Sequence, residues 1–212
     1  MSFDIRLRKT LGKLVFDQRV DSAPGLTAII GTSGIGKTSL LNMVAGLMRP
    51  DEGSIRVGGR LLFDSAARID VPPAQRRCGY IFQDARLFPH MNVRSNLLYG
   101  HKRAQDGRHL MTLEEATGFL GIDHLLDRKP ATLSGGEAQR VAIGRALLSG
   151  PDFLLMDEPL SSLDTMRRQG IIDVILRIRD DLGLPILYVT HDEREVDQLA
   201  TTRIELDQPT PL

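Results

Sequence analysis

The chain has 212 residues, enough for a domain that removes roughly 70% of its unfolded surface from water without disulfide or metal staples. Lys plus Arg total 27 and Asp plus Glu total 27, and this zero formal charge excludes the broad basic field of a protein that coats nucleic acid or anionic lipid. The single cysteine, Cys78, excludes an internal disulfide framework and a cysteine-based zinc site, and reads as a small core hydrophobe. At the N-terminus, Asp4, Arg6, Arg8 and Lys9 sit where the apolar segment of a leader would be, so we expect no signal peptide and a cytosolic chain. Ser2 to Leu7, Lys13 to Val20 and Ser54 to Phe63 alternate apolar and polar residues, the last around Gly58-Gly59, and predict a small antiparallel sheet at the edge. The longest uncharged stretch, Ser22 to Gly36, is 15 residues broken by Pro24, Gly25, Gly31 and Gly34, too short to span a bilayer.

Leu26 to Ile30, Cys78 to Phe82, Phe153 to Met156, Ile186 to Thr190 and Arg203 to Leu206 are short apolar or β-branched runs, the pattern of strands buried on both faces of a mostly parallel sheet. Helical stripes lie between them. Leu40, Leu41, Val44, Leu47 and Met48 share one face of a helix that Pro50 stops, and Ile171, Ile175, Ile178 and Leu182 form another, ended by Gly183 and Pro185. From 85 to 148 the strand pattern gives way to helical segments such as Leu113 to Leu120 and Glu137 to Leu148. The chain is therefore expected to be a single α/β domain over 1–212, with a core of 1–84 and 149–212 and an inserted helical subdomain at 85–148.

Gly31-Thr32-Ser33-Gly34-Ile35-Gly36-Lys37-Thr38 fits G-x-x-x-x-G-K-[ST] between a predicted strand and a predicted helix, and Ser39 continues the segment. Glycines let successive N–H groups converge on a phosphate, the helix dipole points at the same charge, Lys37 reaches the β and γ oxygens, and the Thr38 hydroxyl can ligate Mg²⁺. The alternative is a glycine-rich turn that binds nothing. Downstream, Phe153 to Met156 runs into Asp157-Glu158. Asp157 is the candidate for holding Mg²⁺; Glu158, expected to point the other way through strand alternation, is the candidate that polarises water for attack on the γ-phosphate.

Leu133-Ser134-Gly135-Gly136-Glu137, continuing to Gln139-Arg140, resembles the signature motif of ATP-binding cassette (ABC) ATPases; as a bare pentapeptide it is equally a capping box of Ser134 and Glu137. Three further positions agree with that family: Gln83 resembles the loop glutamine that contacts Mg²⁺ and the attacking water, Ser161-Ser162-Leu163-Asp164 resembles the loop at the dimer interface, and His191 resembles the switch histidine at the γ-phosphate. His90, His101, His109 and His124 lack such company and receive no role. The resemblance implies a P-loop NTPase fold that binds ATP and Mg²⁺. It also implies a head-to-tail dimer with a second copy of the chain, in which Ser134, Gly135 and Gly136 complete the partner's site.

Lys37 and Ser134 are 97 residues apart with no sustained heptads, unlike the DNA-handling ATPases that carry long coiled-coil arms between these motifs, so no nucleic-acid partner is expected. Asp84 to Arg94, Asn96 to Gly100 and Val71 to Arg77 resemble importer cassettes, most closely those of molybdate uptake. That implies an ATPase peripheral to the cytoplasmic face of the inner membrane. It would dock a permease through an exposed Leu87, Phe88 and Met91 and serve a substrate-binding protein indirectly. An importer of another solute such as thiamine, or a soluble regulatory ABC ATPase without a permease, stays open. Three departures stand out. The usual adenine-stacking aromatic falls near Leu11, leaving Phe16 as the nearby candidate; Ala138 replaces a basic or polar signature position; and the C-terminal regulatory domain common in molybdate cassettes does not follow within this sequence, which is either truncated or from a member that lacks it.

Overall fold

The computed structural model describes residues 1–101 and 110–211; His109 lies outside the described residues. Strands β1 (Phe3–Leu11), β2 (Leu14–Asp21) and β3 (Leu26–Ile30) precede helix α1 (Lys37–Ala45), and β4 (Glu52–Val57), β5 (Arg60–Asp64), β6 (Ile69–Asp70) and β7 (Cys78–Ile81) follow it. Next come α2 (Val93–His101), α3 (Leu113–Leu120) and α4 (Gly135–Leu148). The chain closes with β8 (Phe153–Asp157), α5 (Thr165–Asp180), β9 (Ile186–Val189), α6 (Glu193–Leu199), β10 (Thr202–Glu205) and β11 (Thr210–Pro211).

A five-stranded parallel sheet, ordered β10-β3-β9-β8-β7, forms the centre. All of β3 and β9 is buried, as is β8 up to Met156, which is why these strands read as continuous apolar runs. Strand alternation divides their side chains between two clusters. Ala28, Ile30, Leu154, Met156, Ile186 and Tyr188 pack with α2 to α6. Ile29, Phe153, Leu155, Leu187 and Val189 pack with α1 and the antiparallel sheet. At the open edge β10 has one neighbour and is half-exposed along its length, so it is not the doubly buried strand that its Arg203 to Leu206 run predicts.

The antiparallel sheet is larger than its alternating stretches predict: six strands in the order β11-β2-β1-β4-β5-β6. Phe3, Ile5 and Leu7 of β1 are buried toward α1, and the Phe3 ring meets Phe153 edge-on, centroids 6.1 Å apart, tying one sheet to the other. Helix α1 stops well before Pro50. Gly46 takes the left-handed C-cap conformation (φ 80°) and its N–H bonds back to the last turn, so Leu47 falls outside the helix and is 59% exposed rather than part of the apolar face.

Candidate functional site

Strand β3 delivers the chain at Ile30 into the loop 31–36, and α1 starts at Lys37. Gly36 is the left-handed N-cap of α1 (φ 108°), and a Cβ there would come within 2.5 Å of the Phe16 ring. Phe16 itself is 0% exposed. It supports the loop from beneath and presents no face on which adenine could stack. Ile35 likewise points into the core, and its N–H closes a turn on the Thr32 carbonyl. The Lys37 ammonium is buried and donates to the carbonyls of Gly31 (2.7 Å) and Thr32 (3.1 Å), which leaves one of its three protons for an anion above the loop.

Above the loop lies an open polar cavity of about 470 Å³ lined by Ser33, Gly34, Gly36, Lys37, Thr38, Ser39, Gln83 and Glu158. Asp157, at the end of β8, joins it through Thr38, whose Oγ1 donates to Asp157 Oδ1 at 3.1 Å. Burial pushes the Asp157 carboxyl upward from its ordinary value; the Thr38 bond opposes this and the Glu158 charge adds to it. A half-buried carboxylate beside a hydroxyl, with Gln83 on the same cavity, is a hard-oxygen set suited to Mg²⁺.

Glu158 differs from its expected geometry. It is turned by a left-handed backbone (φ 45°) rather than by strand alternation, since β8 has already ended at Asp157. Its N–H bonds Val189 O at 3.0 Å, and its carbonyl accepts from Ser161 N (3.2 Å) and Ser161 Oγ (2.9 Å), which holds a conformation that costs a non-glycine residue about 1–2 kcal/mol. The carboxylate then meets His191, Oε2 to Nδ1 at 3.0 Å.

Behind His191 is a buried polar network with no counterpart among the sequence motifs. Glu195, 3% exposed, accepts from both Tyr188 OH and Thr190 Oγ1 at 2.7 Å, and Thr190 Oγ1 accepts from Asp192 N at 3.0 Å, so the residues on both sides of His191 are tied down. Arg168 of α5 bonds Asp192 Oδ2 at 2.7 Å and lies 3.7 Å from Glu195. One signal was legible: Glu195 lies in the stripe that α6 buries with Val196 and Leu199, where a carboxylate needs a partner.

Ser134, Gly135 and Gly136 do not line the cavity. They open α4, and Ser134 and Glu137 do form the capping box: Glu137 Oε2 accepts from Ser134 N at 2.7 Å, and Glu137 N donates to Ser134 Oγ at 3.4 Å. Asp164 N-caps α5 by accepting from Arg167 N at 3.0 Å. Leu87, Phe88 and Met91 are half-buried rather than exposed. Leu87 packs on the helical side of the core, while Asn96 accepts from Phe88 N (2.8 Å) and donates to Phe88 O (3.2 Å). The Phe88 ring stacks obliquely on Tyr99 at 4.6 Å, forming an aromatic shelf of which Tyr99 is the exposed part.

The profile of the ABC transporter family matches residues 22–161. The chain belongs to the ABC transporter family. It is 52% identical over 204 residues, 96% of its length, to the molybdenum import ATP-binding protein ModC of Paramagnetospirillum magneticum, and 50% identical over 209 residues to ModC of Mannheimia succiniciproducens. It spans 56% and 58% of those proteins, little more than half their length. Among solved structures it resembles cbiO1 from Clostridium perfringens, part of the ABC transporter complex cbiONQ, with a TM-score of 0.79 and 26% identity over 97% of this chain and 84% of that one. A dimeric ATP-binding cassette in a post-hydrolysis state with ADP and Pi shares the fold at a TM-score of 0.76 and 23% identity, over 99% of this chain and 98% of that one. Among the described residues of this ABC family member, no helix is long and apolar enough to cross a membrane.

Proposed function

We propose that the chain hydrolyses Mg-ATP as the cassette of an importer for molybdate or a similar oxyanion. The observation that carries this is the convergence of two pairs on one loop: Thr38 with Asp157, and Glu158 with His191, around the Lys37 ammonium. The likeness to ModC proteins supports the cargo and the membrane partner.

In this reading the 31–39 segment cradles the phosphates, with Ser33, Gly34 and Gly36 to Ser39 at the cavity and Gly31 and Thr32 aiming Lys37. Thr38, Asp157 and Gln83 would hold Mg²⁺, which when bound supplies positive charge against the β and γ oxygens. Glu158 orients the attacking water and takes its proton as the water oxygen bonds to the γ-phosphorus and the bond to the ADP oxygen breaks. His191, fixed by Thr190 and Asp192, holds Glu158 and faces the γ-phosphate. Residues 85–148 act as the helical arm. Ser134, Gly135 and Gly136 at its tip complete the site of a second copy packed head to tail, and its aromatic shelf at Phe88 and Tyr99 receives the permease on the cytoplasmic face of the membrane.

Reconstitution with the cognate permease tests the reading. ATP-dependent accumulation of radiolabelled molybdate is expected, and Lys37→Ala should abolish it together with Mg-ATP binding by isothermal titration while circular dichroism stays that of the folded chain. Wild-type ATP affinity in folded Lys37→Ala would refute the phosphate-loop assignment, and accumulation of another solute in place of molybdate would refute the cargo.

A further inference from the structure

Between β7 and α2 the chain carries Gln83 and then the segment 84–92. Two successive non-glycine residues in it, Ala85 (φ 57°) and Arg86 (φ 44°), adopt the left-handed conformation, which is disfavoured roughly tenfold for each L-residue that takes it. Local contacts account for part of this: Ala85 N reaches Phe82 O at 3.1 Å and Arg86 N reaches Asp84 O at 2.6 Å, each closing a tight turn, and the Arg86 guanidinium bonds Asp84 Oδ1 at 3.1 Å and lies over the Phe82 ring at 4.1 Å. The rest of the hold comes from a distant residue. Arg145, in the last turn of α4, donates from Nη1 to Arg86 O (2.9 Å) and from Nη2 to Ala85 O (3.2 Å), so one planar fork takes both carbonyls of the strained pair. The same guanidinium lies over the Phe88 ring, 5.0 Å from its centroid. Downstream, the buried Asn96 of α2 holds Phe88, Met91 and Asn92 by their carbonyls. Among these bonds, only those of Arg145 reach Ala85 and Arg86 from a distant helix.

We infer that Arg145 is a positioning residue that clamps the Gln83 loop in its strained shape, so that Gln83 faces the nucleotide cavity and the loop stays joined to the Phe88 shelf. The inference rests on the reading of Gln83 as a contact to Mg²⁺ and the attacking water. Its physical core is independent of that reading: without the clamp, the left-handed pair relaxes. Glycine takes φ near 57° without penalty, so Ala85→Gly should make the clamp partly dispensable. That gives a rescue which a general packing role for Arg145 could not produce.

The experiment compares wild type, Arg145→Gln, Arg145→Lys, Ala85→Gly and Ala85→Gly with Arg145→Gln in the whole chain, by hydrogen exchange without nucleotide and by steady-state hydrolysis of Mg-ATP. Arg145→Gln is expected to raise exchange about tenfold at 83–88 and to leave the central strands unchanged, the scale of losing a hydrogen bond from a charged donor. It should lower kcat about tenfold with KM unchanged within about twofold. Arg145→Lys, which cannot span two carbonyls, should fall between. Adding Ala85→Gly to Arg145→Gln should restore most of kcat and much of the exchange protection. Wild-type exchange at 83–88 in Arg145→Gln, or failure of Ala85→Gly to rescue, would overturn the clamp. Altered exchange with unaltered kcat would overturn its action on Gln83. If Arg145→Gln does not fold, Arg145→Lys with and without Ala85→Gly makes the same comparison. Absence of hydrolysis in the wild type would count against the proposed function, while the exchange data would still decide the clamp.

Discussion

Arg76 is the largest fully buried side chain among the described residues, 1% exposed, and its replacement should damage the fold although it lies outside the nucleotide site. Its Nη1 donates to the carbonyls of Met43 (2.8 Å) and Val44 (2.9 Å) at the C-terminal end of α1, its Nε to Val71 O (2.7 Å) and its Nη2 to Asp70 Oδ1 (2.9 Å). Burial pulls the guanidinium below its ordinary pKa while Asp70 opposes the shift. Arg76→Met keeps the stem and strands three carbonyls and a carboxylate. Bonds from a charged donor contribute about 1.5–3 kcal/mol each, but Met43 and Val44 share one nitrogen, water can reach Asp70, and removing the buried cation returns part of the loss. The net is about 3 kcal/mol. For a domain of this size that corresponds to a fall in Tm of about 6–12 °C. Arg77→Met is the internal control: its contacts to Asp152 and Gly150 O are long, both 3.4 Å, so it should cost about 1 kcal/mol or less. Urea denaturation with a common m-value measures both. A loss under about 1 kcal/mol for Arg76→Met would mean that the helix end and its carbonyls are satisfied without the guanidinium.

Glu158→Gln should retain Mg-ATP while hydrolysis falls by about 10²-fold or more, the scale of losing a general base, and an unchanged rate would remove Glu158 from that role. Glu195→Leu should lower stability by about 2–3 kcal/mol by stranding the Tyr188 and Thr190 hydroxyls, and should lower kcat more than ATP affinity; equal loss of both would make it a fold defect alone. Bonds from the Ser134 backbone and hydroxyl hold the Glu137 carboxyl below its ordinary value, so its contribution is fully present above about pH 4.3 and is lost as pH falls through the lower folded value. The acid limb of a stability profile should therefore flatten in Glu137→Gln. Ser134→Arg mixed with Lys37→Ala should recover part of the ATPase activity that each lacks alone, since one composite site of the heterodimer keeps two wild-type halves; no recovery, together with strictly linear dependence of wild-type activity on concentration, would refute a shared site.

What was legible in the sequence follows from range. The strands β3, β8 and β9 are buried on both faces, so their composition alone places them, and the glycines and Lys37 of the phosphate loop are read from seven neighbouring positions. Elements decided by a single backbone angle were less legible: α1 ends where Gly46 turns left-handed, and the Glu158 carboxylate is aimed by its own φ of 45°. Least legible were polar contacts between distant segments. Arg76 to Met43, Arg145 to Ala85, and Glu158 to His191 are separated by 33, 60 and 33 positions, and no periodicity encodes such pairs. Phe88 was misjudged for the same reason, because the burial of a loop aromatic is set by what Asn96 and Tyr99 do elsewhere.

The two ends of α4 bring the proposals into one physical relation. At its start the Ser134 backbone and hydroxyl hold the Glu137 carboxylate, and the N–H groups of Gly135 and Gly136 have no carbonyl within the helix to bond. The Glu137 carboxylate, drawn back onto Ser134 N, is fixed away from the phosphate it would otherwise repel. At its end Arg145 grips the Gln83 loop and the Phe88 shelf. A helix of 14 residues is a rod of about 21 Å, stiff against the forces of a few hydrogen bonds. On the proposed reading, closure of the dimer on ATP moves Ser134 with the partner's γ-phosphate, and the displacement arrives at Ala85 and Phe88 without having to pass through the central sheet. The nucleotide that triggers Gln83 through α4 is then the one bound by the other copy. That makes each permease contact answerable to both cassettes.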